Sequence, residues 1–376
     1  MMRHNSLIVP VATGEGNQSA GTKPGRIAKG RGTASKVDPR YLEHAREAVD
    51  DGWNQAGDVA PIRTMVTMES SKTIISRNDS PDIPFEASIN PYRGCEHGCI
   101  YCYARPSHAY MDLSPGIDFE TKLFAKPAAA ALLKSEISKS GYRCTPIALG
   151  SNTDPYQPIE RDFRITRQII EVLHACNHPL TIVTKSWLVE RDIDLLADMA
   201  QKNLVQVFIS VTTLDHDLVR KLEPRATAPQ RRLEALARLH KAGIPTGVMF
   251  APVIPALNDT EMESVITAAA DAGVMHAGYV MLRLPHEVKV LFREWLETHY
   301  PLKTDHVMNM VKHIRGGREN DPDFGSRMRG QGVYAEMIGQ RFRKICNDLG
   351  LNKKNITLDT GSFRPPAGQN GQMNLF

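Results

Sequence analysis

The chain alternates between short apolar runs rich in β-branched residues and longer runs with the spacing of amphipathic helices. Such alternation predicts parallel strands joined by right-handed helical crossovers, the construction of α/β folds. Strands are expected at residues 87–90, 146–149, 180–184, 205–211, 246–251 and 277–282, and helices at 127–138, 164–175, 190–201, 229–242 and 260–272. Six strand units favour a partial (β/α)6 TIM-like barrel that lacks the last two units of a full barrel. A doubly wound open sheet is the alternative.

Composition separates this core, residues 83–285, from two flanking regions. Residues 1–40 hold seven Lys or Arg against two acidic residues, so residues 1–55 are expected to be a disordered basic arm. Such an arm can contact polyanions, although a solvated tail without a partner explains it equally. A lead-in at 56–82, with a small strand pair at 62–77, joins the arm to the core. A helical C-terminal extension at 286–350, with helices at 305–314 and 334–349 around a Gly/Arg-rich loop, and a flexible tail at 351–376 are expected after it.

Three of the six cysteines, Cys95, Cys99 and Cys102, lie in one short segment with C-x3-C-x2-C spacing. Clustered cysteines in such a chain indicate a metal site rather than a disulfide framework, and thiolates are the usual ligands of iron–sulfur clusters. Because a cubane needs four ligands and no fourth cysteine is near, one iron would stay open for another ligand. A zinc site completed by His97 is the alternative, although zinc ligands usually come as two separated pairs. The other three cysteines are isolated and are expected to be small buried apolar residues.

The cysteine spacing, the aromatic Tyr101 before the last cysteine and the position after the first predicted strand resemble the radical SAM superfamily signature, over residues 83–285. Four segments are similar to the spore photoproduct lyase branch: CIYCYA, GSNTDPYQPIE, TKS and SVTTLD. The resemblance implies the barrel of that superfamily, a [4Fe-4S] cluster on the three cysteines, and S-adenosylmethionine bound at the open iron. It also implies an electron donor such as flavodoxin or ferredoxin, and cleavage of the cofactor to a 5′-deoxyadenosyl radical that removes hydrogen from a substrate.

The resemblance also assigns cofactor contacts, one residue at a time. Tyr101 would pack near the adenine, and Thr153 and Asp154 would hold the amino end or the ribose. Lys185 would meet the carboxylate, and Ser210 the ribose hydroxyls. These residue types suit their roles, since a carboxylate accepts from ammonium and hydroxyl donors and lysine is a compact cation. An ordinary loop role is the alternative for each, because an Asp-Pro pair, for example, also starts turns.

The resemblance contains one departure, at the residue that would return hydrogen to the product. Ser151 stands where the lyase carries a cysteine for this step, and a serine O–H bond is too strong to replace it. Tyr103 matches the lyase and would be the catalytic residue that relays a hydrogen atom, whereas Cys144 is expected at the opposite end of the barrel. Arg225 and Arg283 follow later strands and are candidate substrate contacts, because arginine suits a phosphate or carboxylate. Pairing of Arg225 with Glu223, which would leave neither for substrate, is the alternative.

The last five residues resemble the short motif by which bacterial DNA polymerases and repair proteins dock on the replication sliding clamp. Gln372 can bond at the rim of an apolar cleft, which Met373, Leu375 and Phe376 can fill. An apolar end that folds back on its own domain is the alternative. Arginines in the preceding Gly-rich loop suit backbone phosphates, although acidic residues lie among them; they are Arg315, Arg318, Arg327 and Arg329.

These features favour a radical SAM enzyme that acts on DNA and is recruited by the sliding clamp. Two other functions stay open, a radical enzyme acting on RNA or a small molecule and a non-catalytic metal-bearing module that binds nucleic acid. No apolar run approaches the ~20 residues that cross a bilayer, and no secretory pattern begins the chain. A cytoplasmic protein with no membrane contact is therefore expected.

Overall fold

The computed structural model of the chain describes residues 30–33, 35–41 and 63–366. The strands within these residues form one sheet of seven strands and one of three. In chain order they are β1 (Met65–Met68), β2 (Ile75–Arg77), β3 (Ala87–Ile89), β4 (Tyr92–Arg93), β5 (Lys122–Ala125), β6 (Ile147–Leu149), β7 (Leu180–Thr184), β8 (Val205–Ser210), β9 (Thr246–Val253) and β10 (His276–Met281).

The large sheet has the order β10-β9-β8-β7-β6-β3-β2. Its members from β3 to β10 pair in parallel, and β2 pairs antiparallel with β3 at one edge. These six parallel strands occupy the six predicted positions, so the α/β class with a parallel sheet is confirmed. Because β10 and β2 are the two edges, the sheet is open, as a barrel lacking its last units would be.

Helices follow most of the parallel strands, and further helices make the C-terminal extension. Those of the described residues are α1 (Ile117–Thr121), α2 (Ala129–Ile137), α3 (Glu160–Phe163), α4 (Ile165–Ala175), α5 (Ile193–Gln201), α6 (His216–Leu222), α7 (Pro229–Lys241), α8 (Met262–Asp271), α9 (Val288–His299), α10 (Thr304–His313), α11 (Ser326–Arg329) and α12 (Gly332–Asp348). The predicted helices correspond to α2, α4, α5, α7, α8, α10 and α12. The sequence analysis missed α9, whose Leu291, Phe292 and Trp295 are buried.

Local signals explain where several helices begin and end. Asp215 caps α6, because its carboxylate accepts hydrogen bonds from two backbone N–H groups of the first turn. Pro229 opens α7, and Gly243 follows its end with the positive φ of 78° that favours glycine. Asp259 lies just before α8 but does not cap it. That residue lies in a 3-10 turn, and its carboxylate accepts from the Tyr334 hydroxyl at 2.5 Å.

The core lies between the sheet and the helices. Ile147, Leu149, Ile182, Val207 and Val248 of the parallel strands are completely buried. Each such side chain contributes about 1.5–3 kcal/mol of transfer free energy. The carboxyl ends of the strands therefore stand on a well-packed frame, from which the loops of the site extend.

Two expectations for the N-terminal region are corrected. Residues 30–33 and 35–41 were placed in the disordered arm, yet they lie against the core, with Arg31 and Thr33 buried. The basic, polar composition of these residues predicted disorder, but they are held by hydrogen bonds from arginine and backbone groups rather than by apolar packing. The predicted strand pair is also wrong, since β1 pairs with β5 in the small sheet and β2 with β3 in the large one.

Candidate active site

The three clustered cysteines lie in the loop that follows β3 and the short β4, at the carboxyl end of the parallel sheet. All three are free thiols, with Cys95 and Cys99 buried and Cys102 partly buried. Burial raises the pKa of each thiol, and the charges of Asp154 and of the other two cysteines raise that of Cys95 further. A positive partner such as a bound metal would therefore stabilise thiolates in this loop.

His97, the alternative zinc ligand, is buried beside Asp154, with its Nδ1 3.3 Å from the Asp154 Oδ2. Across residues 30–33, 35–41 and 63–366, no three His, Cys, Asp or Glu side chains converge as they would around a single ion. Ligands of a cubane need less convergence, because each thiolate binds a different iron atom.

Asp154, after β6, is surrounded by donors from the protein itself. Its Oδ1 accepts from the Thr184 hydroxyl at 2.7 Å and from the Tyr156 N–H at 2.9 Å, and its Oδ2 accepts from the Lys185 N–H at 2.8 Å. Burial raises the pKa of this carboxyl, but the charge of His97 and these hydrogen bonds outweigh burial and lower it to about 2. Asp154 thus joins the ends of β6 and β7 to the cysteine loop, and its contact with a cofactor stays a prediction.

Thr153 braces the same loop from the neighbouring position. Its hydroxyl donates to the Gly94 carbonyl at 2.7 Å and accepts from the Gln157 amide at 3.0 Å. Gln157 in turn accepts from the Glu96 N–H at 2.9 Å, between the first two cysteines. Sequence analysis did not single out Gln157. The one feature of the sequence that could have indicated Gln157 was its place in the segment GSNTDPYQPIE, which resembles the photoproduct lyase branch.

A buried carboxylate, Glu223, lies beside Tyr101 and Lys185. It forms an ion pair with Arg232 of α7, and it accepts from the Tyr101 hydroxyl and, at 2.6 Å, from the Thr212 hydroxyl. Burial raises the pKa of Glu223, but the charges of Arg232 and Lys185 and these hydrogen bonds lower it to about 2. The Lys185 ammonium lies 5.7 Å from the centre of the Tyr101 ring. Two residues predicted to contact the cofactor are thereby brought together.

Ser210 and Arg225 are placed on either side of this cluster. Ser210 ends β8 and is buried, and its carbonyl accepts from Arg232 at 2.9 Å. The Arg225 guanidinium pairs with the Glu96 carboxylate at 3.1 Å, and the backbone N–H of Arg225 donates to the His97 carbonyl at 3.2 Å. Arg225 therefore fastens the cysteine loop to the loop after β8.

Tyr103, Ser151 and Arg283 meet at the mouth of the barrel. The Tyr103 side chain is 49% exposed, and its hydroxyl donates to the Ser151 carbonyl. The Ser151 hydroxyl bonds the side chain of Asn90 at 3.1 Å. The Arg283 guanidinium lies 5.7 Å from the centre of the Tyr103 ring, and within the described residues its buried Nε has no hydrogen-bond partner. Arg283 thus keeps hydrogen-bonding capacity beside an exposed tyrosine.

Residues 89–269 match the family model of the radical SAM superfamily. These residues form a radical SAM domain. The match confirms the superfamily expected from the cysteine spacing, and membership implies a [4Fe-4S] cluster and S-adenosylmethionine.

Similar proteins agree with this assignment. An uncharacterised protein of Mycobacterium tuberculosis is 38% identical over 221 residues, which are 58% of this chain and 65% of the relative, so slightly less than two thirds of that relative is matched. A protein of Pseudomonas phage M6 named radical SAM Nalpha-GlyT isomerase is 30% identical over 173 residues, 44% of this chain and 33% of the phage protein. The structure of spore photoproduct lyase complexed with dinucleoside spore photoproduct has a TM-score of 0.56 at 17% identity, covering 76% of this chain and 80% of the lyase. That likeness shows a common fold.

The radical SAM domain contains the three clustered cysteines and all the cofactor residues predicted from the sequence, whereas Arg283 lies beyond it. Cys144 precedes β6 and Ser151 follows it, so the two lie at opposite ends of that strand, as predicted.

The arginines of the Gly-rich loop that follows the radical SAM domain are largely engaged with the protein. Arg315 is buried and donates to the carbonyls of residues 281, 282, 326 and 327. Arg327 pairs with Asp82 at 2.5 Å, and Arg329 donates to the Tyr279 carbonyl at 2.9 Å. These contacts fasten the loop to the end of β10.

Two further expectations concerned docking on the sliding clamp and contact with a membrane. The clamp-like residues Gln372, Met373, Leu375 and Phe376 lie outside the described residues. Among the helices that the structure describes, each is too short or too polar to cross a bilayer.

Proposed function

We propose that the protein is a radical SAM enzyme in which Cys95, Cys99 and Cys102 hold a [4Fe-4S] cluster. The observation that carries the proposal is a buried loop with three free thiols at the carboxyl end of a parallel sheet, near the Lys185 cation. When bound, the reduced cluster and S-adenosylmethionine supply a 5′-deoxyadenosyl radical that abstracts hydrogen from a substrate.

The surroundings of the thiols suit such a cluster. Neutral thiols are favoured in the buried loop, so cluster iron would supply the positive charge that stabilises the thiolates. Thr153 and Gln157 hold the Gly94 carbonyl at the start of the loop, and Asp154 and Arg225 hold its centre. Ligands fixed in this way lose little conformational entropy when they bind metal.

Lys185 and Tyr101 suit the amino-acid and adenine parts of S-adenosylmethionine. Glu223 accepts from the Tyr101 hydroxyl and stays ionised at neutral pH, so the ring is fixed in place. The Lys185 ammonium lies beside that ring, and its positive charge suits the cofactor carboxylate. Thr153, Asp154 and Ser210 complete the proposed contacts. The first two act chiefly by shaping the loop, since their polar atoms already bond to the protein.

We place the substrate at the barrel mouth, where Tyr103 is the catalytic residue and Arg283 the anion-binding group. The hydroxyl of Ser151 cannot return a hydrogen atom, so the half-exposed Tyr103 is the group available for that step. DNA is the proposed substrate class, supported by the resemblance to the photoproduct lyase branch and by the basic composition of residues 1–29, which hold four Lys or Arg against one acidic residue. The name of the phage relative supports a radical SAM reaction other than photoproduct cleavage. Arg225, being bound to Glu96, contributes by holding the cysteine loop.

Anaerobic reconstitution with iron and sulfide tests the cluster. The native chain should take up iron and sulfide, absorb at about 410 nm and release 5′-deoxyadenosine under strong reduction. The variant Cys95→Ala/Cys99→Ala/Cys102→Ala should do none of these, whereas the matched control Cys144→Ala/Cys176→Ala/Cys346→Ala should behave as the native chain. Equal iron uptake by both triple variants would refute the proposal, and zinc retained without iron would favour a non-catalytic module.

Substrate class and partners need their own tests. Anaerobic turnover with damaged duplex DNA, single-stranded DNA and RNA, with flavodoxin or ferredoxin as the electron donor, should release 5′-deoxyadenosine faster with DNA than without a polymer. A rate that rises with RNA alone, or with neither polymer, would exclude DNA. Docking on the sliding clamp is tested by a pull-down of the intact chain against Leu375→Ala/Phe376→Ala. Equal capture of both would end that part of the proposal.

A further inference from the structure

A segment outside the radical SAM domain packs against the cysteine loop. We name residues 30–33 and 35–41 the N-terminal segment. Arg31 and Thr33 within it are only 5% and 3% exposed, although the family match begins at residue 89. A solvated tail would leave these polar side chains in water, so their burial calls for a specific partner.

Arg31 and the neighbouring Gly32 share one such partner, Glu120, a completely buried residue at the end of α1. Its Oε2 accepts from the Gly32 N–H at 2.9 Å, its carbonyl accepts from Arg31 at 3.0 Å, and its Oε1 accepts from Arg105 at 2.6 Å. Arg105 also donates to the carbonyls of Cys99 at 2.9 Å and Gly98 at 3.2 Å. One carboxylate thus links the N-terminal segment to the backbone between the cysteines.

The N-terminal segment also touches the cysteine loop directly. A Cβ atom added to Gly32 would lie 1.8 Å from the Gly98 carbonyl oxygen, and one added to Gly98 would lie 2.8 Å from the Glu120 carboxylate. Gly98 has a φ of 68°, which favours glycine. The two backbones can approach this closely only because both positions lack a side chain. Arg31 adds a second link through Thr64, whose hydroxyl donates to Glu96.

The remainder of the N-terminal segment contacts the residues that follow the cysteines. The Ser35 carbonyl accepts from the Ile117 N–H at 3.2 Å, and the Val37 carbonyl accepts from the Ser114 hydroxyl at 2.6 Å. Arg40 donates to the Pro106 carbonyl at 3.2 Å, directly after the last cysteine turn. The segment therefore extends from the cysteine loop along the residues that follow the last cysteine.

We propose that the N-terminal segment is a positioning element of the cluster site. Through Glu120 and the Gly32–Gly98 contact, it holds the backbone of residues 96–99 in the conformation that presents the thiols, and it keeps water from that side of the loop. The inference rests on the proposed function, since it needs the cysteines to hold a cluster. It assigns a role in cluster retention to residues that precede the radical SAM domain.

The test uses the full chain and the Gly32→Ala variant, with Lys36→Ala as the matched control because Lys36 is exposed in the same segment. Each protein is reconstituted anaerobically, and the loss of absorbance at about 410 nm is followed after addition of EDTA or air. Cluster loss should be about tenfold faster in Gly32→Ala than in the native chain or the control, as for residues that orient metal ligands. The midpoint potential of the cluster should also shift in Gly32→Ala alone.

A second variant separates this role from general destabilisation. Arg31→Ala should accelerate cluster loss in the same way, with Arg31→Lys intermediate, while circular dichroism of each protein stays native. If Gly32→Ala does not fold, Arg31→Ala decides the question. Native decay rates and an unchanged potential in a folded variant would overturn the inference. A native chain that takes up no cluster would instead refute the proposed function.

Discussion

Glu223 and Arg232 form an ion pair in which both side chains are completely buried, at the carboxyl end of β8. Arg232 also donates to the carbonyls of Ser210 at 2.9 Å and Thr227 at 2.6 Å, so each of its three guanidinium nitrogens donates a hydrogen bond. Because Glu223 in turn holds Tyr101, the pair connects the stability of the fold to the proposed adenine site.

Replacement of Glu223 by glutamine should destabilise the protein strongly. The variant Glu223→Gln leaves the Arg232 charge buried without a counter-ion, and such a loss costs about 3–5 kcal/mol. Urea denaturation would measure it as a fall in the free energy of unfolding. The control Glu234→Gln removes a half-exposed carboxylate from the same region and should change that free energy by less than about 1 kcal/mol. Similar values for the two variants would contradict a structural role of the buried pair.

Lys185→Met should weaken the binding of S-adenosylmethionine. Loss of a charged hydrogen bond to the carboxylate costs about 1.5–3 kcal/mol, or about 10- to 100-fold in Kd. Anaerobic equilibrium dialysis with the cluster-loaded protein measures the constant. Lys202→Met, on the exposed end of α5, serves as the control and should leave Kd unchanged. An unchanged Kd in Lys185→Met would remove this residue from the cofactor site.

Arg283→Gln should weaken binding of single-stranded DNA and reduce its dependence on salt. If the guanidinium binds one backbone phosphate, the slope of log K against log salt should fall in magnitude by about 1. Fluorescence anisotropy over a salt series would show this. Arg293→Gln is the matched control, since Arg293 lies in α9 and forms an ion pair with Glu319. Parallel salt lines for Arg283→Gln and the native chain would argue against a phosphate contact.

His178 should make the protein less stable in mild acid. Burial lowers the pKa of this histidine to about 4, against 6.5 ordinarily, so the unfolded chain takes up its proton first as the pH falls. The free energy of unfolding should therefore decrease between pH 6.5 and pH 4, by up to about 3 kcal/mol from this group, and level off below. His178→Gln should flatten this part of the stability curve, and His216→Gln, at an exposed position, should not. A native slope in His178→Gln would assign the effect to other groups.

Local pattern was sufficient to predict the six parallel strands, most helices and the cysteine loop. Strand and helix positions follow from the spacing of apolar residues along a few turns of chain, and C-x3-C-x2-C is likewise a short-range feature. For the same reason α9 was missed, because its apolar residues alternate with charged ones and only its packing shows which face is buried.

The sequence by itself determined which residues could carry the chemistry: three thiols, a lysine after one strand, and a tyrosine and an arginine at the barrel mouth. Only the tertiary structure decided which polar side chains already have hydrogen-bond or ion-pair partners within the protein. It paired Glu223 with Arg232 rather than Arg225, enclosed Asp154 with donors, and placed residues 30–33 and 35–41 against the cysteine loop. The physical reason is that side-chain partners depend on which loops meet in space, and the strength of a buried contact depends on the exclusion of water, neither of which is written in local spacing.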